Sequence, residues 1–228
     1  GINENRETIL SNTEKKHKDC SIILFTNSDR NTMGHIALNT ALLLAEKGDQ
    51  VVYIDDVGSS SAERLSSITS AIKLYGKYIV NDAVLKHKKA KMDNLVFIQT
   101  SPNTDFFSLV KEIKNRKEAR YIVLNTDINR SVENLIILAE KAFIISRQNP
   151  VQLDYLLDNY GYQFKFCDII IENFEEGLLG TKEIKEKTRS QRVIKIKDSD
   201  KMNYDALISQ IPLLYKDKGN EELFEGLV

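Results

Sequence analysis

Residues 20–57, CSIILFTNSDRNTMGHIALNTALLLAEKGDQVVYIDDV, decide the fold of this chain. The runs SIILF and VVYI within this stretch are continuously apolar, which is typical of strands that are covered on both faces. Between them, residues 34–47 are apolar around most of a helical circumference, and Gly48 is well placed to end a helix in a left-handed cap. The stretch therefore predicts a buried strand, a short loop, a buried helix and a second buried strand.

Similar apolar runs recur along the rest of the chain. Six of them begin at residues 21, 51, 95, 121, 142 and 168. Helical stretches separate them, which predicts parallel strands joined by crossover connections. We expect an α/β fold of three layers, with helices on both faces of a mainly parallel central sheet of about six to eight strands. Surface helices are expected near 60–75, 104–118, 131–140 and 150–160, and an exposed loop and helix over 175–201.

Several motifs in this order resemble the MinD/ParA family. The helix GHIALNTALLLAEKG and the strand QVVYIDD are similar to that family's first helix and second strand, and EARYIVLNTDINRS resembles its switch II strand and helix. DIIIENF resembles the strand whose Asn reads adenine, and IPLLYKDKGNEELFEGL resembles the closing segment. The resemblance spans about residues 20–225 and implies a P-loop NTPase-like fold.

The loop at residues 27–35, NSDRNTMGH, departs from the family where phosphate would bind. The family's loop, K-G-G-x-G-K-[ST], supplies glycines whose backbone N–H groups converge on the anion, a Lys for the β- and γ-phosphates, and a hydroxyl for Mg²⁺. Without gaps, the second Lys falls on Met33 and the Ser/Thr on Gly34. A shift by one residue puts Gly34 on the last glycine and His35 on the Lys. Neither alignment restores the Lys, so the Walker A loop is degenerate.

The resemblance places seven residues at this degenerate nucleotide site. They are Arg30, Thr32, Gly34, His35, Asp55, Asn125 and Asn173. Asn125 stands where the family has an Asp, and Asn173 is displaced by one position from the Asn that reads adenine. No residue of the chain is assigned a catalytic role or a metal-ligand role.

Three of these candidates also have a plain structural interpretation. Asp55 falls on the family's water-positioning Asp and could keep a contact to Mg²⁺ or water, or it could cap the turn after its strand together with Asp56. His35 could lie near phosphate at the helix N-terminus, and Arg30 could supply the charge of the missing Lys. Alternatively, they are an ordinary His at a helix start and a solvated Arg.

Composition limits the partners of the chain. It has 228 residues, of which 42% are hydrophobic and 29% charged, and its net charge of −1 gives no broad field that would attract DNA or acidic lipid. The basic spots KHKKAK, at 86–91, and KNRK, at 114–117, are interpreted as solvated faces, so DNA is not expected as a partner. Cys20 and Cys167 lie in apolar patterns, which favours buried thiols in a reducing cytoplasm.

The domain organisation follows from the same patterns. Residues 20–228 are predicted to form one MinD/ParA-like domain, as the resemblance implies, and residues 1–19, which are polar and lack a sustained period, are interpreted as a flexible linker or tail. A chain that begins with Gly leaves room for an upstream domain. No run approaches the roughly 18 apolar residues of a membrane-spanning helix, so direct membrane insertion is not expected.

The lost loop residues suggest a function without catalysis. With neither the Lys nor the Mg²⁺-binding hydroxyl, little would stabilise the charge on a transferring phosphoryl group. We expect a degenerate MinD/ParA-like protein with little or no ATP hydrolysis. It would require no cofactor, although ATP or ADP with Mg²⁺ could still bind. Its role would be to localise or assemble machinery, as the similar TadZ/CpaE-type proteins position pilus or secretion machinery.

The resemblance also implies partners for this chain. We expect a homodimer that binds proteins of an assembly or secretion machine. We expect it in the cytoplasm, where those partners would recruit it to the cell pole or to the inner membrane face. The alternatives are an active ParA/MinD-type ATPase of partitioning and a relative of the capsule-type tyrosine kinases. The kinases carry a C-terminal Tyr cluster, whereas the last Tyr here is the single Tyr215.

Overall fold

The computed structural model describes residues 20–27, 35–55, 71–74, 77–81, 94–99, 105–117, 119–130, 132–209, 214 and 219–228. The strands are β1 (Ser21–Asn27), β2 (Val51–Asp55), β3 (Ala71–Leu74), β4 (Lys77–Asn81), β5 (Leu95–Gln99), β6 (Tyr121–Asp127), β7 (Lys141–Arg147), β8 (Asp168–Glu172) and β9 (Val193–Ile196). The helices are α1 (His35–Glu46), α2 (Phe106–Arg116), α3 (Glu133–Leu138), α4 (Pro150–Tyr160), α5 (Thr181–Thr188), α6 (Ser199–Ser209) and α7 (Gly219–Glu225), with a 3-10 helix at Gln163–Phe166. Within these ranges, no helix combines the length and the apolar character that crossing a membrane requires.

The strands of the described part of the chain lie in one sheet, in the order β3-β4-β5-β2-β6-β1-β7-β8-β9. The seven strands from β5 to β9 in this order are parallel to one another, and β3 and β4 form an antiparallel hairpin on the β5 edge. All six apolar runs of the sequence are strands of the parallel part. The α/β fold with a mainly parallel central sheet is therefore confirmed.

Two parts of the sequence-based assignment were wrong. The helix expected near 60–75 does not extend through Ala71–Leu74, which is strand β3, and residues 56–70 lie outside the described residues. The charged segment 175–201 contains the expected helix, α5, but its residues Val193–Ile196 form a strand, β9, which extends the sheet beyond β8. Within the described residues the sheet has nine strands, and its parallel part of seven lies within the six to eight that were expected. Both missed elements are short and pair at an edge of the sheet, where tertiary pairing rather than local pattern selects a strand.

Helices cover both faces of the sheet, as expected. On one face, α1 packs with α7 against alternate strand residues such as Ile23, Phe25 and Tyr53. On the other face, α2, α3, α4 and α5 pack against the intervening residues, such as Ile22 and Leu24. We call these the α1 face and the α2 face. Two buried clusters thus sandwich the strands, which explains why the strands are apolar without alternation.

The helix boundaries follow the capping signals of the sequence. Helix α1 ends at Glu46, and Gly48 has a φ of +91°, in the left-handed region that a glycine adopts without strain. The side chain of Asp105 accepts a hydrogen bond from Ser108 N at the start of α2. Asn149 caps α4 in the same way, ahead of Pro150 at the first helical position. The helices predicted over 104–118, 131–140 and 150–160 are confirmed.

Polar residues gather where the parallel strands end. Asn27 is the last residue of β1, Asp55 is the last residue of β2, and Asn125 lies two residues before the end of β6. By the alternation of side chains along a strand, all three lie on the α1 face. Strand β6 lies between the other two. In open parallel sheets, ligands bind at this carboxyl edge. The fold therefore brings three chain segments together at the place where a site is expected.

Candidate functional site

Asp55 is fully buried at the end of β2. Its register partner on β6 is Asn125, which is also fully buried. The side-chain nitrogen of Asn125 donates a 2.7 Å hydrogen bond to Oδ1 of Asp55. A buried carboxylate must be hydrogen-bonded or paired to be tolerated, and the neighbouring strand supplies one of its donors.

Asn27 extends this contact across a third strand. Its Nδ2 donates a 2.5 Å hydrogen bond to Oδ1 of Asn125, so the three side chains form one chain of hydrogen bonds from β1 through β6 to β2. We call Asn27, Asn125 and Asp55 the amide chain. Asp55 does not lie at the surface as a turn cap. It anchors a buried network within the sheet, which neither sequence-based interpretation anticipated.

Tyr53 lies on the same face as Asp55, two residues earlier on β2, and is fully buried. Burial raises the pKa of its hydroxyl well above the ordinary value, and the negative charge of Asp55 raises the pKa further. The hydroxyl thus stays protonated near the carboxylate. Asp55 therefore has a protonated phenol on its own strand and a hydrogen-bonded amide on the neighbouring strand.

At the Asn27 end of the amide chain, one side-chain oxygen has no hydrogen-bond partner among the described residues. Oδ1 of Asn27 is buried, with only 7% of the residue exposed, and it has no hydrogen-bond partner among the described residues. A buried acceptor without a donor is rare in folded proteins. This oxygen is located at the start of the loop that the sequence identifies as the degenerate phosphate loop.

The loop itself is mostly outside the described residues. Arg30, Thr32 and Gly34 fall in that part, so their roles stay predictions, and so does any role for Asp56. His35 is the first residue of α1, as expected for a helix start. The structure therefore brings together two of the predicted site residues, Asp55 and Asn125, and adds to them two residues that the sequence analysis missed, Asn27 and Tyr53.

Hydrogen bonds connect the turn after β6, at residues 127–130, to strand β1 and helix α4. Asp127 Oδ1 accepts hydrogen bonds from the backbone and side-chain nitrogens of Asn129, at 2.9 and 2.7 Å. Ile128 N donates to the carbonyl oxygen of Asn27, and the hydroxyl of Tyr160 on α4 contacts Oδ1 of Asn129. The segment that resembles switch II is thus held to β1 and to α4.

Asn173 lies at the same edge of the sheet but belongs to a separate cluster. It follows β8 with a φ of +50°, and its Oδ1 accepts hydrogen bonds from Ser199 Oγ, at 2.8 Å, and from Asp200 N, at 2.9 Å. Arg147, at the end of β7, donates two hydrogen bonds of 2.9 and 2.8 Å to the carboxylate of Asp200. The side-chain oxygen of Asn173 therefore caps α6, and strand β7 lies between β8 and the amide chain.

The basic spot at 114–117 is partly neutralised by neighbours. Lys114 donates to the carbonyl oxygen of Cys20 and lies 3.8 Å from Glu140, and Arg116 pairs with Glu112 one turn earlier. The other basic spot, at 86–91, lies outside the described residues. These pairs give no support to a nucleic-acid surface at residues 114–117.

Among the described residues, we find neither a reactive cysteine nor a group of side chains that could bind a metal ion. Cys20 and Cys167 are both free and buried. Burial is the main cause that raises the pKa of Cys20 to about 11 and that of Cys167 to about 12. Among the residues described, no group of three or more His, Cys, Asp or Glu side chains could hold a metal ion.

The amide chain on its own offers a phosphate few donors. Phosphate oxygens accept hydrogen bonds, and so does the buried Oδ1 of Asn27, while each amide nitrogen of the chain gives one of its two N–H groups to a neighbouring side chain. The donors typical of a helix N-terminus are the first backbone N–H groups of α1, which begins at His35.

The fold is that of the MinD/ParA P-loop ATPases. The chain is similar to MinD in the MinC:MinD cell division complex of Aquifex aeolicus, with 18% identity, coverage of 87% of this chain and 89% of the other, and a TM-score of 0.64. A ParA family ATPase from Chlorobium tepidum has 13% identity, coverage of 93% and 98%, and a TM-score of 0.65. A putative plasmid partition protein from Borrelia burgdorferi bound to AMPPNP has 15% identity, coverage of 92% and 97%, and a TM-score of 0.58.

These similarities are structural. No protein-family model and no curated protein matches the sequence. At identities below one fifth, the solved structures establish the fold and leave the activity to be argued from the site.

Proposed function

We propose that this chain uses a MinD/ParA-type fold as a localisation or assembly factor, with little or no ATP hydrolysis. The observation that carries the proposal is the amide chain. Asp55, which would have to work on water or Mg²⁺ in an ATPase, is instead buried and receives a hydrogen bond from Asn125. A carboxylate engaged in this way has to break its own network before it can take part in catalysis.

The sequence supports the same proposal independently. The loop at residues 27–35 contains no Lys, and Asn125 replaces an acidic residue of the family. Phosphoryl transfer depends almost entirely on positioning and on charge stabilisation, so loss of the cationic group removes most of what the fold contributes. A role similar to that of the TadZ/CpaE-type proteins, in the cytoplasm and at the pole or inner membrane face, would use the fold as a binding platform.

The proposed assembly is a homodimer that joins through the carboxyl edge of the sheet and binds proteins of an assembly or secretion machine. The contact surface would include residues near 27–35, 56–62 and 126–131, and its formation would not depend on ATP, because burial of an interface does not require a phosphate-binding Lys. Light scattering over a concentration series, with and without ATP and Mg²⁺, tests this. A dimer that forms only with ATP would contradict it.

The central experiment is a measurement of ATP turnover. The purified protein should show no hydrolysis above a buffer blank under conditions where an active ParA-type protein turns over. The matched control is Asp55→Ala, because contaminating ATPase activity would persist in this variant. Turnover that is abolished by Asp55→Ala would overturn the proposal.

The second candidate function is ATP hydrolysis through a rearranged loop. It is favoured by the fold similarity to a ParA family ATPase and to a partition protein that binds AMPPNP. Titration calorimetry with ATP and Mg²⁺ separates residual nucleotide binding, which the first proposal tolerates, from the turnover that only the second requires.

A further inference from the structure

Strand β9 forms one end of the sheet, and only one of its two sides is paired. It pairs with β8, and no described strand pairs with its other side. In a parallel pair, alternate residues of a strand direct their backbone N–H and C=O groups toward the neighbour. The carbonyl oxygens of Arg192 and Ile196 accept hydrogen bonds from the β8 side. The backbone groups of Val193 and Lys195, which alternate with them, therefore point away from the sheet.

These outward backbone groups are available to a further strand. Neither Val193 nor Lys195 uses its backbone N–H or C=O in a hydrogen bond with another described residue. The side chain of Lys195 is exposed, and that of Val193 is half-buried. An exposed row of unpaired donors and acceptors at the edge of a sheet is a template for the addition of an extended segment.

The two faces of β9 differ in their chemistry. Ile194 is half-buried and packs at the border of the buried cluster on the α1 face. Val193 packs against the cluster on the α2 face, and Lys195 alternates onto that same face. Lys197, just after the strand, lies beside the same carboxylate as Lys195. A segment that pairs with β9 thus meets apolar surface on one face and ammonium groups on the other.

The lysine side of β9 carries more positive than negative charge. Lys195 and Lys197 share one carboxylate, that of Glu176, at 3.4 and 3.5 Å. Helix α5 packs beside β9, and its last turn and C-cap add Lys185 and Arg189. Both of these side chains are exposed, and neither forms an ion pair with a described residue. This side of the strand attracts negatively charged groups.

We propose that the outer edge of β9 binds an extended segment of a partner protein in which acidic and apolar side chains alternate. The backbone of the segment pairs with Val193 and Lys195. Its acidic side chains face Lys195 and Lys197, and its apolar side chains cover Ile194. The inference rests on the proposed function, since it takes the chain as a platform that binds other proteins, and it names the chemistry of one such partner.

The same lysines exclude a second copy of this chain from the edge. Two β9 strands that paired about a two-fold axis would bring their lysines together, and like charges on facing strands are destabilising. Lysines also protect short edge strands from unwanted pairing. An acidic segment reverses the sign of that interaction, so the lysines select among segments by charge as well as excluding copies of themselves.

The test uses three synthetic peptides with a fluorescent label. The first, Ser-Glu-Val-Glu-Ile-Glu-Val-Ser, has the proposed alternation. The second replaces each Glu by Lys, and the third keeps each Glu but replaces both Val by Pro, which removes N–H donors that a strand requires. Fluorescence anisotropy measures affinity for the full chain. Hydrogen exchange of the ¹⁵N-labelled protein, followed by NMR, shows which amides of β9 become protected.

We expect saturable binding of the first peptide alone. Without peptide, the amides of Ile194 and Ile196, which face β8, should exchange slowly, and those of Val193 and Lys195 should exchange rapidly. The bound peptide should slow exchange at Val193 and Lys195. This change in alternate residues distinguishes the addition of a strand from a charge contact between side chains, which would leave the backbone of β9 open.

Variants of Lys195 separate the backbone from the charge. Lys195→Pro removes an N–H that the sheet does not use, so the unfolding midpoint should change little. It should weaken peptide binding about tenfold or more, because a hydrogen bond is lost and the ring obstructs pairing. Lys195→Ala keeps the N–H and should weaken binding less. The double variant Lys195→Glu with Lys197→Glu should prefer the Lys peptide. Lys182→Glu, at a side chain that is 88% exposed on α5, is the control for net charge.

Several results would overturn the proposal. Equal binding of the Lys peptide would show that charge does not select the segment, and equal binding of the Pro peptide would show that no strand is added. If no peptide binds, the lysines only protect the edge. Protection of Val193 and Lys195 that rises with protein concentration alone would assign the edge to a second copy. ATP turnover by the same preparation would overturn the proposed function whatever the peptides do, so the two failures are distinguishable.

Discussion

Asn125 donates a hydrogen bond of 2.7 Å to the buried carboxylate of Asp55, across the β6–β2 pair and over 70 positions of sequence. A carboxylate in place of Asn125 would set two negative groups at the same separation in a buried site. The amide lets this edge of the sheet fold without a cation between the strands.

The variant Asn125→Asp tests this relationship. We expect a loss of about 3–5 kcal/mol in the free energy of unfolding at neutral pH, because a buried charge is left uncompensated. The pair of carboxyl groups would share a proton, so its folded-state pKa would be raised, and the loss should shrink as pH falls toward the unfolded value near 4. Urea unfolding at pH 4.5 and 7.5 measures both. A variant with the same stability at the two pH values would contradict the expectation.

Tyr53→Phe removes the buried hydroxyl that lies on the same face of β2 as Asp55. We expect a loss of free energy of unfolding; a loss of about 1.5–3 kcal/mol would be that of a hydrogen bond to a charged group and would show that the hydroxyl donates to the carboxylate. The folded-state pKa of Tyr53 is raised above its ordinary value of 10.0, so its contribution is complete below pH 10 and is lost as pH rises beyond it. Thermal unfolding between pH 8 and 11 should show a steeper alkaline decline for the native chain than for the variant. Tyr204→Phe, at a side chain that is 64% exposed, is the control.

Tyr160→Phe should loosen the turn after β6. The hydroxyl of Tyr160 contacts Asn129, and its loss removes about 1 kcal/mol of local stabilisation. Hydrogen exchange at Asn129 and Arg130 should accelerate severalfold, with little change in the global unfolding midpoint. Tyr162→Phe, whose ring is 70% exposed, should leave exchange in the turn unchanged. Equal acceleration in both variants would show that the Tyr160 hydroxyl does not hold the turn.

Substitutions of Asn173 separate its backbone role from its side-chain role. Asn173→Gly keeps the φ of +50° without strain but removes the oxygen that accepts from Asp200 N and Ser199, so we expect a loss of about 1 kcal/mol, as for other helix caps. Asn173→Ala should lose at least ~1 kcal/mol more, because an alanine resists the left-handed region. Chemical unfolding of the pair measures the difference. If Ala proves as stable as Gly, the backbone contribution is absent.

Both cysteines should resist alkylation in the folded protein. Burial raises the pKa of Cys20 to about 11 and that of Cys167 to about 12, so neither is a thiolate near pH 8. Iodoacetamide at pH 8 should label neither within an hour, whereas both should react in 8 M urea, as mass spectrometry would show. Rapid labelling of either residue in the folded state would mean that its segment opens locally.

Most of the fold could be predicted from the sequence because the central strands are buried on both faces. Strands such as Ser21–Asn27 and Tyr121–Asp127 are buried on both faces, so almost every residue in them is apolar and the pattern is visible without a partner. The strand Val193–Ile196 and the hairpin at 71–81 carry weaker signals, because an edge strand is covered less and its state depends on the neighbour that it meets.

Two members of the candidate site were identified from the sequence, but their connections were not. Asp55 and Asn125 were identified because the resemblance to the MinD/ParA family places them at its nucleotide site. Nothing local in the sequence placed Asn27 against Asn125, since 98 positions separate them. That contact exists because the strand order sets β6 between β1 and β2, and strand order is decided by which faces pack together across the whole domain. The sequence determined which residues are polar at the strand ends. The tertiary structure decided that the side chains of Asn27, Asn125 and Asp55 form hydrogen bonds with one another across three strands, because the packing of the sheet sets those strands side by side.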